Sequence, residues 1–214
     1  MRLLSLVAGV SMLGFAACGG GGGSTSPAPP PSGGTQTLST IRFASNSIAL
    51  TAGTATTLPV VEALDATGRV ITGAAGYTYS SSATAVAESQ GDGAVLAIGA
   101  GSATITASLT RDGVTATANI TVNVSGSLPG SASVAAGNSD LSFTPPTVVV
   151  TRNASVTFSF GALNHSVNFR ATSGAPANVP VTVNGAVARS FPSAGDFSYD
   201  CGVHAGMSGK VVVR

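Results

Sequence analysis

The chain has no tryptophan, and its 214 residues hold only two cysteines, two histidines and three methionines. Charged residues are 8% of it. Each shortage excludes something. Few Lys and Arg, none of them clustered, exclude a nucleic-acid surface. Leu, Glu and Lys are scarce and no long segment repeats apolar residues at helical spacing, which excludes a helical protein. Ala, Thr, Ser, Val and Gly are abundant instead. Small and β-branched residues suit twisted strands and tight turns, so the chain is expected to be all-β.

The first residues, "MRLLSLVAGVSMLGFAAC", join one early charge, Arg2, to an apolar run from Leu3 to Phe15. The run is short for a bilayer span and fits a secretory signal. Ala16 and Ala17 before Cys18 resemble the lipobox of bacterial lipoproteins, although Phe15 stands where Leu is usual. That resemblance implies a signal peptide over residues 1–17, a lipid on Cys18 and an exported, membrane-tethered protein, periplasmic or at the cell surface. Residues 18–37, which contain "CGGGGGSTSPAPPPSGG", carry no hydrophobic pattern and read as a disordered linker. With Cys18 lipidated, Cys201 has no partner for an intrachain disulfide. A lone thiol in an oxidising compartment then needs a reason to exist.

A turn-rich stretch, "SGSLPGSAS", separates two regions that each read as short strands, and two energetically separate β-sandwich domains are expected. In the first, "YTYSSSATAVAES", "GDGAVLAIGAGSATITASL" and "ATANITVNV" together resemble the bacterial Ig-like group 2 domain, over residues 38–125. This region holds no His, Cys or Met. Its acidic residues are scattered, with Asp65 and Asp112 in expected turns, so a spacer or adhesive role is expected of it.

The second region, residues 132–214, ends "YDCGVHAGMSGKVVVR". Cys201, His204 and Met207 lie within seven positions, and His165 heads an upstream strand in "NHSVNF". Taken singly, a Met is core filler, a strand-end His is a surface residue and a Cys is a small hydrophobe. Chance rarely places the last Cys, one of two His and the last Met so close together. Two imidazoles, a thiolate and a weak thioether make the blue-copper electron-transfer set. Thiolate sulfur binds both Cu(II) and Cu(I), and the thioether favours Cu(I). Gly202 and Gly206 allow the sharp turns such a loop needs.

The loop and the upstream "NHSV" resemble the cupredoxin family in its plastocyanin-like branch, with the short loop spacing of amicyanin. The resemblance implies a Greek-key sandwich and one type 1 copper held by His165, Cys201, His204 and Met207. Many relatives carry Asn directly after the first His, tying two loops together. Here Ser166 follows and Asn164 precedes, so that tie is expected to be rewired. The implied function is a blue copper electron carrier, not an enzyme, whose redox partners dock near His204 among small and apolar neighbours. Multicopper enzymes need further His clusters that two histidines cannot supply. Exported copper storage or delivery, or an adhesive surface lipoprotein, are the alternatives.

Overall fold

A computed structural model describes residues 36–214. The expected signal peptide, the lipidated Cys18 and all but the end of the linker lie outside the described residues.

The region after the linker is built from β1 (Thr40–Phe43), β2 (Ser47–Thr51), β3 (Ala55–Thr57), β4 (Val61–Leu64), β5 (Thr78–Ser81), β6 (Ala87–Ser89), β7 (Ala94–Ala97), β8 (Gly101–Arg111) and β9 (Val114–Ser125). They pair as a four-stranded sheet, β2-β9-β8-β5, a three-stranded sheet, β3-β7-β6, and the pair β1-β4. The β8–β9 hairpin shows why. Ala103, Ile105, Ala107 and Leu109 alternate with polar residues and all face the core. Asp112 and Gly113 both take positive φ, 52° and 79°, which is the tight hairpin turn that Asp-Gly favours. Asp65 also serves its turn. Its Oδ1 accepts from the amides of Thr67 and Arg69 at 2.9 and 3.0 Å.

The second region contains β10 (Ser131–Ala136), β11 (Phe143–Thr144), β12 (Thr147–Val150), β13 (Ala154–Phe160), β14 (His165–Phe169), β15 (Val179–Thr182), β16 (Gly185–Phe191), β17 (Gly195–Asp200) and β18 (Ser208–Val213). One sheet runs β11-β10-β13-β16 and the other β12-β18-β17-β14-β15. Asn153 makes the turn between β12 and β13 at φ 63°. Parallel pairs, β10 with β13 and β12 with β18, mix with antiparallel ones. Val134, Phe143, Phe158, Phe191, Phe197 and Tyr199 fill the space within.

Alternation alone would leave one face of β12 and β18 in water. Val148, Val150, Val211 and Val213 do enter the core of their own region. Yet Val149 and Val212 between them are also buried, against Leu96 of the first region, with Ala55, Ile98 and Leu128 alongside. The runs "TVVV" and "KVVV" are continuously apolar because this sheet is covered on both faces. Within the mostly exposed connecting stretch, Leu128 and Pro129 are half-buried. Thr151 donates its amide to the Pro129 carbonyl at 3.1 Å, and a side chain at Gly53 would collide with the Pro129 ring.

Candidate metal centre

Strand pairing brings the donors to one end of the second region. β17 and β18 pair from Gly195↔Val213 to Asp200↔Ser208, so residues 201–207 form the loop that closes this hairpin. The Cys201 amide donates to the Met207 carbonyl at 2.8 Å, pinching the loop at its base. Gly206 turns the chain at φ 82°, where a side chain would be strained. β14 lies beside β17, with Asn168 opposite Asp200, and this carries His165 to the same end.

Three side chains converge there. Cys201 Sγ lies 3.8 Å from His165 Nδ1 and 3.6 Å from His204 Nδ1, and the two Nδ1 atoms are 3.1 Å apart. His165 is fully buried, Cys201 nearly so, and His204 half-buried. Cys201 is a free thiol. Burial, and then the nearby His204, holds His165 below the ordinary histidine pKa, with the Gly137 backbone acting the other way. The Nε2 of His165 has no hydrogen-bond partner among the described residues. A neutral imidazole is the form that can donate a nitrogen lone pair to a metal.

Two imidazole nitrogens and a sulfur within 4.8 Å of one another form a compact, largely buried donor set. The donor set fits a single copper ion, since thiolate suits Cu(I) and imidazole suits copper in either state. Met207, which the spacing also marks, is buried in the same apolar cluster as Cys201. Cys18 lies outside the described residues.

The supporting groups were only partly legible in the sequence. Ser166 is buried, and its Oγ accepts the Gly202 amide at 2.8 Å, tying the His165 strand to the Cys201 loop. The expected rewiring is this serine bond. Gly202 matters here for space rather than for φ. A Cβ on it would lie 2.5 Å from the Asn168 side-chain nitrogen and 3.1 Å from Ser166 Oγ. Beside Cys201, Asp200 forms a two-pronged pair with Arg170 at 2.8 and 2.9 Å, and hydrogen bonding to Arg170 holds its carboxyl below the usual range. Tyr199, two residues before Cys201, is fully buried and its hydroxyl has no partner among the described residues. Burial pushes that phenol well up. Around the half-buried His204, Val203 is exposed, and so is Leu163 near His165.

No family model and no curated protein matches the chain. Solved structures that resemble it include a mutant plastocyanin of fern, 21% identical over 38% of this chain and 99% of that one, at TM-score 0.35. A mutant of amicyanin in its reduced Cu(I) form is 29% identical over 40% of this chain and 83% of its own, also at 0.35. A purple cupredoxin from Nitrosopumilus maritimus is 18% identical over 39% of this chain and 99% of its own, at 0.35. These neighbours are cupredoxins, matched over about two-fifths of the chain.

Proposed function

We propose that this protein is a one-electron carrier with a single type 1 copper, held to a membrane by lipid on Cys18 and acting outside the cytoplasm. The observation that carries this reading is the convergence of Cys201 Sγ with the two Nδ1 atoms of His165 and His204 within 4.8 Å of one another. When bound there, copper supplies a Cu(II)/Cu(I) couple. The chain's own residues would hold the site in place as the charge changes. His165 is fixed by burial, Cys201 by its backbone bond to Met207, and the two loops by Ser166 on Gly202. A cage that moves little when charge changes is what fast electron exchange requires.

In this reading His165, Cys201 and His204 would hold the copper, with the Met207 thioether as a weak further donor. His204 is the path to the surface, because it is the one ligand imidazole not fully buried. Its exposed neighbours Val203 and Ala205 are uncharged, which suits brief, small redox contacts. The protein catalyses no bond chemistry, and its donor and acceptor are other redox proteins.

Titration of the full chain with Cu(II) tests this. One equivalent should give an intense visible band from sulfur-to-copper charge transfer, and Cys201→Ser should abolish it. A colourless complex of the unmodified chain would sink the assignment. Repeated reduction and oxidation with the metal retained separates electron transfer from storage.

A further inference from the structure

Two cross-strand rows meet where the two regions touch. In the first region Ala55, Leu96 and Glu88 lie side by side across β3, β7 and β6. In the second, Val149, Val212 and Asp196 lie side by side across β12, β18 and β17. The apolar members pack together in one buried cluster. The polar members are two carboxylates, which would repel. Arg214, the residue after β18, resolves this. Its Nε and Nη2 donate to the Glu88 carboxylate, each at 2.8 Å, while Nη1 donates to Asp196 Oδ1 at 2.7 Å. Its backbone amide donates to the Val150 carbonyl at 3.1 Å. A guanidinium can grip one carboxylate with two parallel donors and still reach a second with a third.

The second row lies on the hairpin that carries the metal loop. Asp196 is five residues before Cys201 on β17, and Val212 is five residues after Met207 on β18. At a strand's rise that is roughly 17 Å along each strand. We propose that the first region is a clamp on this hairpin: Leu96 and Glu88, with Arg214 as the latch, join the two sandwiches into one cooperative unit that holds the 201–207 loop in its metal-ready form. Leu96, Glu88 and Arg214 are thus positioning residues, acting on the loop through β17 and β18. On this reading the two sandwiches unfold as a single unit, against the expectation of two energetically separate domains, and the calorimetry below decides between them. The inference depends on the proposed function only in taking 201–207 as the ligand loop.

The test uses the full chain without metal. Scanning calorimetry should show one unfolding transition for residues 36–214. Leu96→Asp, which buries a charge against Val149 and Val212, should lower it by roughly 5 °C or more. Hydrogen exchange followed by mass spectrometry should then speed up across 201–207 by about tenfold, the equivalent of ~1.4 kcal/mol. Glu88→Ala should give a smaller acceleration, largely reversed in Glu88→Gln, which keeps an acceptor for Arg214. If Leu96→Asp does not fold, the Glu88 pair decides. Two separate transitions, or faster exchange in residues 36–125 with 201–207 unchanged, would overturn the clamp. Neither measurement needs copper, so a chain that takes up no copper defeats the proposed function while exchange still decides this inference.

Discussion

The two sandwiches use the same alternation of inward apolar and outward polar residues but fill their interiors differently. The first packs mostly Ala, Val, Ile and Leu, with Phe43 its one buried ring. The second packs Phe143, Phe158, Phe191, Phe197 and Tyr199 as a connected set, most of them edge to face, with centroids 4.9 to 6.1 Å apart once Phe169 is included. Rings are large and have few rotamers, so such a core allows its strands little freedom. That rigidity lies under the strand ends that present His165 and Cys201. The first core is filled mainly by small aliphatic side chains, and on the other face of its three-stranded sheet Leu96 packs against Val149 and Val212.

The largest effect should come from breaking the aromatic set. Phe158→Ala removes a buried ring that contacts both Tyr199 and Phe169, at a cost of about 3–5 kcal/mol, against about 0.5–1.5 kcal/mol for Ile105→Val in the first core. Urea unfolding of the full chain measures both. Similar costs would mean that the two cores do not differ as described.

Next is the tie between loops. Ser166→Ala leaves the Gly202 amide without its acceptor and should cost about 1–3 kcal/mol. It should also weaken copper retention against a chelator, which a merely local packing loss would not do.

Acidification acts on the contact between the regions. Hydrogen bonds from Arg214 hold the Glu88 carboxyl below its usual range, against an opposing effect of burial. A carboxylate whose folded pKa is lowered contributes stability above its unfolded value, and that contribution is lost as pH falls through the folded value. Below about pH 4.3 the unmodified chain should therefore lose stability faster than Glu88→Gln. The difference should stay within about 1 kcal/mol, since the pair is partly exposed. Parallel slopes for the two proteins in urea titrations at falling pH would deny the latch its charge.

The smallest structural effect should be at the exposed Ala205. Ala205→Glu should change stability by no more than about 0.5 kcal/mol and leave the copper spectrum as it was. It should still slow electron exchange with a redox partner, by adding desolvation cost beside His204. Stopped-flow rates equal to those of the unmodified chain would remove His204 as the route.

Much of this was legible in the chain itself. Alternation in "SATITASL" marks a strand because side chains on a strand point to opposite faces in turn. Asp112-Gly113 marks a hairpin because both positions need positive φ. Cys201, His204 and Met207 stand out because covalent order alone keeps them within one loop. The rewired tie could be suspected from Ser166 and Asn164, but which of them took the role depended on the register that sets His165 at the head of β14. The apolar runs at 148–150 and 211–213 read equally well as strands with one wet face, and nothing local announces a second cover.

Local order along the chain was enough for the all-β character, the turns and the three-donor loop, because each depends on residues within a few positions of one another. The rest was settled only by folding in three dimensions. His165 reaches Cys201 across 36 residues, Arg214 reaches Glu88 across 126, and Val149 and Val212 lose their solvent face to Leu96. The first contact needs the second sandwich to close and the other two need both, because their energies come from surfaces that the unfolded chain never brings together.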